Sequence, residues 1–293
     1  MRVLLTGSSG YVGSSVERAL RLRNHKVHRL QRPGSDSGGD DQVIFADLSD
    51  TAALRDAAHD VDAVIHCAAS DNPSFWPISQ AAAGALIAGL QAGGAFASHS
   101  GTIVFGDTGS NPSDPDRFAP PPPLAGRATL DEAILEHEGN GITIHIGYGA
   151  FVYGRGRGAA LPTLLIGAAK SAGAALYVGN GDQIWSTVNI DDFGALLVDA
   201  IESKSTIGGK WFAAETAITM KGIAERIGQA LGLPARPATT EEAQGLFGPF
   251  AGALAINQNF SAARTREGVG WAPQASSLYA LDQAINDLIL MNI

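Results

Sequence analysis

Cysteine is nearly absent from this chain: Cys67 is the only one in 293 residues. That excludes a disulfide framework and a metal site built from cysteines. Basic charge is scarce too, with 20 Lys and Arg against 29 Asp and Glu and a net charge of −9. No basic cluster overrides this balance, so nucleic acid is not an expected partner. Long apolar runs are missing. The stretch 81–95 is small and apolar, but too short and too rich in glycine to span a bilayer, and no membrane partner is expected. The first residues enter a strand-like run at once and leave no room for a leader, which points to a cytoplasmic protein.

Glycine, by contrast, is plentiful at 36 residues, as suits a fold with many tight turns. Short apolar runs at 2–6, 26–31, 42–45, 61–66, 95–100 and 142–147 alternate with helical patterns at 11–23, 50–58, 77–92, 126–138, 191–202 and 219–231. This alternation predicts an α/β fold, with a doubly wound parallel sheet covered on both faces and ligands at the carboxyl ends of its strands. Beyond about residue 153 the alternation fades. Strand-like 174–178 and 210–214 then sit among loops and two helices, as in a smaller lobe. The expected division is a nucleotide-binding domain over 1–153 plus part of 186–215. The substrate lobe is expected over 154–185 and 216–293.

The most informative stretch is Val3 to Gly13, where an apolar strand runs into glycines at 7, 10 and 13 and then a helix. Gly7 suits the tight turn, Gly10 lets a pyrophosphate approach the backbone, and Gly13 lets the helix pack on the strand. The helix N-terminus, with Ser9, Tyr11 and Val12 around it, then faces the phosphates of a dinucleotide. The second strand ends in Gln31 and Arg32, with Ser35 nearby, where an NAD-specific site would carry an acid. An uncharged residue followed by arginine suits a 2′-phosphate, so NADP is preferred to NAD. Asp47 and Leu48 follow the third strand, at the adenine position. After the fourth strand, Cys67, Ala68 and Ala69 are small enough to leave room for the nicotinamide ribose.

Together these residues resemble the extended short-chain dehydrogenase/reductase family, in its NAD-dependent epimerase/dehydratase branch. The likeness rests on Thr6-Gly7-x-x-Gly10-x-x-Gly13, Asp47-Leu48 and His66-Cys67-Ala68-Ala69. It continues through Phe151-Val152-Tyr153-Gly154, Ser186-Thr187-Val188-Asn189-Ile190-Asp191-Asp192 and Gly268-Val269-Gly270-Trp271-Ala272-Pro273, in the family's order. The resemblance implies a Rossmann domain with a small C-terminal substrate lobe, a bound NAD or NADP, and a sugar, ketone or aldehyde substrate. It also implies a monomer or a homodimer, paired through helices 77–92 and 126–138.

The chain departs from the family at its proton donor, the tyrosine of Tyr-x-x-x-Lys. None of the five tyrosines has a lysine four places on. Aligning the 126–138 helix on Asp131 or Glu132 puts Pro123 or Leu124 in the tyrosine's place and Arg127 or Ala128 in the lysine's. Arg127 thereby joins the coenzyme-binding candidates. Hydride transfer by a positioned nicotinamide survives the loss of an acid, at a cost of about 10²–10⁴ in rate. Ser100 and Thr102, after the fifth strand, and Tyr148, at the end of the sixth, are the candidate catalytic groups. Ser70, Asp71, Trp76, Phe151, Tyr153 and Trp185 are the substrate candidates, read as groups at loop tips, and the aromatics among them suit a flat or apolar small molecule. Arg155 and Arg157 would serve a sugar nucleotide instead.

The expected function is NADPH-dependent reduction of a small, polyketide-like ketone or aldehyde by an atypical reductase. One alternative is a sugar epimerase or dehydratase that keeps its nucleotide bound. The other is a protein that senses NADP without turnover.

Overall fold

The computed structural model describes residues 1–35, 43–68, 73–139, 141–156, 158–203 and 208–291. The chain opens with β1 (Arg2–Thr6), α1 (Tyr11–Leu22), β2 (Lys26–Gln31), β3 (Val43–Phe45), α2 (Thr51–His59) and β4 (Ala63–His66). Next come α3 (Trp76–Gly89), β5 (Ala95–Gly101), a 3-10 turn at Thr102–Phe105, α4 (Ala125–Leu135) and β6 (Thr143–Gly149). The remainder is β7 (Phe151–Tyr153), α5 (Ala160–Ala172), β8 (Ala175–Tyr177), β9 (Ile184–Asn189), α6 (Ile190–Glu202), β10 (Gly209–Ala213) and β11 (Thr216–Thr219). It closes with α7 (Met220–Leu231), β12 (Ala235–Pro237), α8 (Thr240–Phe247), α9 (Ala263–Val269) and α10 (Leu278–Leu290).

Seven strands form one parallel sheet in the order β10-β6-β5-β4-β1-β2-β3, the doubly wound arrangement expected from the alternation. Successive residues of β1 point to opposite faces. Val3 and Leu5 meet Val16 and Leu20 of α1 and Leu197 of α6, while Leu4 joins Leu54, Leu86 and Phe96 under α2 and α3. Both faces are buried, so β1 and β4 at the centre read as nearly unbroken apolar runs. The strand order reverses between β1 and β4, opening a crevice at their carboxyl ends.

The six early strands and six helices lie within two residues of their expected positions except the 77–92 and 126–138 helices, which end three residues sooner. The second half holds more structure than its pattern suggested. β9 pairs with β7 on one side and β11 on the other in a separate three-stranded sheet, and β8 pairs with β12. β10, expected among loops, returns to extend the large sheet beside β6. These strands have three to six residues, too few for a period-two signal to stand out. Among the described residues no helix is long and apolar enough to cross a membrane.

Candidate active site

The turn from β1 to α1 closes on the crevice. Gly7 takes a left-handed φ of 67°, and a Cβ there would lie 2.6 Å from the backbone nitrogen of Ala68. A Cβ on Gly13 would come within 2.0 Å of the Gly7 carbonyl oxygen, so the helix rests on the turn through bare backbone. At Gly10 the added atom would meet only the Gly7 oxygen, at 3.2 Å, and is otherwise unobstructed. Gly10 caps α1 without a side-chain bond, leaving the first helical N–H groups for an anion.

A cavity of about 530 Å³ extends from this turn across the ends of β2, β3 and β4. Gly7, Ser8, Ser9, Arg32, Ser35, Asp47, Leu48 and Ala68 line it, with Leu30, Gln31, Ala46, Phe75 and Ile78. Its size is that of a site for a large organic ligand. Asp47 accepts from the amide (2.9 Å) and hydroxyl (2.6 Å) of Ser49, bonds that hold its carboxyl below the ordinary carboxylate value. Both bonds use one oxygen, so the other remains for a donor such as an adenine amino group. Gln31 presents a buried Oε1 without a partner at the end of β2. An orphaned acceptor, a bare glycine turn and uncapped amides together fit a dinucleotide.

Not every coenzyme candidate reaches this cavity. Tyr11 turns its phenol to the second lobe, donating to the Gly154 carbonyl at 3.0 Å. Val12 packs against the core, and Cys67 is buried within it, its thiol pushed up by desolvation. Arg127 lies on α4 at the end of β5. Ala69, Ser70, Asp71 and Arg157 lie outside the described residues.

At the carboxyl ends of β5 and β6 a second polar cluster forms. Nε of Arg127 donates to Ser100 Oγ at 3.0 Å and to Asp131 Oδ1 at 3.2 Å, and its Nη2 donates to the His99 carbonyl. Asp131 lies one turn further along α4 and is fully buried. Burial raises the proton affinity of its carboxyl, opposed by Arg127 and by the Ser100 and Tyr148 hydroxyls. Tyr148 is the register partner of Ser100. Thr102 opens the 3-10 turn just beyond and is buried. Toward β1, Thr6 Oγ1 shares a 2.8 Å hydrogen bond with His66 Nδ1 and accepts from the Ala68 amide. Burial, then Arg127, pushes His66 down to about 4, so its ring is neutral.

Ser100, Thr102, Tyr148 and Arg127 are therefore gathered at one end of the sheet. Tyr148, however, is no displaced phenol facing a substrate: it has no exposed surface and sits edge-on to Phe105 at 4.9 Å. Burial raises its hydroxyl well above the ordinary value. Sequence reasoning missed Asp131 as a partner, although Arg127 and Asp131 stand at i and i+4 in a predicted helix, a spacing that brings side chains together.

The aromatic substrate candidates are corrected more sharply. Phe151, Tyr153 and Trp185 are not at loop tips but on β7 and β9, fully buried in the second lobe. The Tyr153 hydroxyl donates to the Ser277 carbonyl and accepts from its amide, and Trp185 Nε1 donates to the Ile256 carbonyl. Burying these large rings, with their polar ends satisfied, builds the lobe's core. Trp76, at the start of α3, packs so closely on α4 that a Cβ on Gly126 would lie 2.0 Å from its ring. Arg155 pairs with Asp191 at 2.8 Å.

The model of the NAD dependent epimerase/dehydratase family matches residues 3–212. An uncharacterized protein of Schizosaccharomyces pombe is 29% identical over 293 residues, covering 95% of this chain and 97% of its own length. A 3-diazoavenalumate denitrifying reductase of a Streptomyces species is 27% identical over 231 residues, 70% of this chain and 74% of its own. Among solved structures, a UDP-glucose-4-epimerase from Stenotrophomonas maltophila with bound NAD superposes with a TM-score of 0.78. That match covers 100% of this chain and 99% of the other at 16% identity.

Proposed function

The chain belongs to the NAD dependent epimerase/dehydratase family, and from that premise we propose that it is an NADPH-dependent reductase of small ketones or aldehydes. The observation that carries this reading is the contact of Arg127 with Ser100. A cation and a hydroxyl stand at the strand ends of a chain in which no tyrosine is followed by a lysine four places on. The glycine turn and the cavity wall beside Arg32 and Asp47 would hold a nicotinamide coenzyme, which would supply a hydride to a carbonyl carbon. Ser100 donates its hydroxyl hydrogen to the oxygen as the carbonyl π pair moves there, and solvent returns a proton to Ser100. Arg127 offsets the negative charge that develops. Thr102 borders the same position.

The coenzyme preference rests on Arg32 and Ser35, which stand on the cavity wall beside Gln31 where a ribose carboxylate would exclude a phosphate. The unpartnered Gln31 Oε1 would accept from a ribose 2′-hydroxyl and so admit NADH too, and Arg32 would add the preference for NADPH. The substrate class rests on charge. Arg155, Arg226, Arg236, Arg264 and Arg266 are each paired with a carboxylate, which leaves them poorly placed for a sugar diphosphate. The reductase relative supports the same direction.

The epimerase neighbour favours a second reading, redox-neutral conversion of a sugar nucleotide. One experiment separates the two. Purified protein is given NADPH or NADH with a panel of ketones and aldehydes, and nucleotide sugars in parallel. Net consumption of NADPH with a carbonyl supports the reductase. Conversion of a sugar nucleotide without net consumption overturns it, as does coenzyme binding with no turnover, the behaviour of a sensor.

A further inference from the structure

Asp131 stands where stability alone has no use for it. A buried carboxylate–guanidinium pair gains little over an apolar replacement, because desolvation offsets the attraction. Here the carboxylate is fully buried, with the buried Tyr148 hydroxyl beside it, and neither Asp131 Oδ2 nor that hydroxyl makes a well-formed hydrogen bond. Costly buried polar groups gathered at strand ends mark function more often than architecture.

We infer that Asp131 is a positioning residue for the proposed reduction, a clamp that turns the Arg127 guanidinium so that its Nε–H meets Ser100 Oγ. The inference rests on the reductase reading. Arg127 is fixed at three points: Asp131 on its own helix, and Ser100 and the His99 carbonyl on β5. A serine hydroxyl has one hydrogen to donate and two lone pairs to accept with. The Arg127 bond occupies a lone pair, and the Ser100 hydrogen, turned to the Asp131 carboxylate at rest, can swing to a substrate oxygen. The neighbouring cation also favours its departure. Without Asp131 only the two contacts on β5 hold the planar fork, which can then turn its Nε–H away from Ser100.

The test uses the full chain as wild type, Asp131→Asn, Asp131→Leu, Ser100→Ala and the Ser100→Ala/Asp131→Asn double variant. In protein labelled with nitrogen-15 arginine, the Arg127 Nε–H, assigned by its loss in Arg127→Lys, should exchange slowly with solvent. That protection should vanish in Asp131→Leu and weaken in Asp131→Asn, which carries the measurement should the leucine variant not fold. In turnover, Asp131→Asn should lower kcat on the order of 10²-fold while coenzyme Kd stays unchanged. In the Ser100→Ala background it should lower kcat no further. Protection that survives Asp131→Asn and Asp131→Leu overturns the clamp. An equal loss of kcat with and without Ser100 overturns the positioning role and marks Asp131 as structural. If the wild type reduces no carbonyl, the reductase reading falls, and the exchange measurement alone decides whether the clamp exists.

Discussion

The hydroxyl of Tyr11 donates to the carbonyl of Gly154 across 143 residues of sequence, at 3.0 Å. A Cβ on Gly158 would lie 2.3 Å from the Tyr11 Cβ, so the same side chain is hemmed in by the loop after β7. The first turn of α1 is thus tied to the second lobe. Tyr11→Phe keeps the ring and removes one bond. It should cost about 1 kcal/mol of stability, measured as a lower urea midpoint, and leave coenzyme Kd nearly unchanged. A large loss of coenzyme affinity would instead place Tyr11 at the ligand.

Gly13→Ala should be far more damaging. Its methyl group would start 2.0 Å from the Gly7 oxygen, where no flexible side chain can yield. The helix must lift from the turn, at about 3 kcal/mol or more, and the amides that face the phosphates move with it. Calorimetry should register lost coenzyme binding together with a lower melting temperature. Normal binding would refute the close contact.

Arg32→Ala tests the preference for the phosphorylated coenzyme. Arg32 lines the cavity and is exposed. Removing it should weaken NADPH by about tenfold or more and NADH hardly at all, the worth of a hydrogen bond to a charged group. Equal effects on both coenzymes would remove the assignment.

Ser100→Ala should lower kcat by about 10²-fold or more with coenzyme Kd intact. Thr102→Val should also reduce turnover, but less, because no Arg127 bond reaches it in the way one reaches Ser100. Unchanged turnover in both variants would show that the proton comes from elsewhere.

Acid should destabilise the fold through its buried histidines. Burial lowers His66 and His145 to about 4 and His99 to about 3, the charge of Arg127 adding to the effect on His66 and His99. The ordinary value is 6.5, so between these limits the unfolded chain binds more protons than the folded one. Stability is full above about pH 6.5 and falls as pH drops toward 4, by up to about 1.4 kcal/mol per pH unit for each histidine. Urea midpoints measured from neutral pH downward should show the slope. His145→Gln should make it shallower, and a flat profile would mean that the rings are hydrated.

The nucleotide end of the site was legible because its signal is local. Gly7, Gly10 and Gly13 lie within one turn, and their roles follow from backbone geometry alone. Asp47 and Arg32 were found at strand ends, where the doubly wound order puts ligands. The reaction end was only half legible. Ser100 and Tyr148 were placed by their strands, but that they are paired in register, with Tyr148 sealed under Phe105, depends on β5 lying beside β6. Phe151, Tyr153 and Trp185 were misread because an aromatic near a glycine-rich loop and an aromatic in a strand of three to six residues look alike in sequence.

By itself the sequence determined the alternation of strands and helices, the parallel sheet and the glycine turn after its first strand. Periodicity and steric demand act over a few residues, and no distant partner is needed to express them. Only the tertiary structure decided that Arg127 bonds Ser100, that Asp131 stands behind it, and that the large rings of the second half form a core. Those outcomes depend on which strands become neighbours and which faces are covered, since a side chain's partner and its distance from water are properties of the assembled chain.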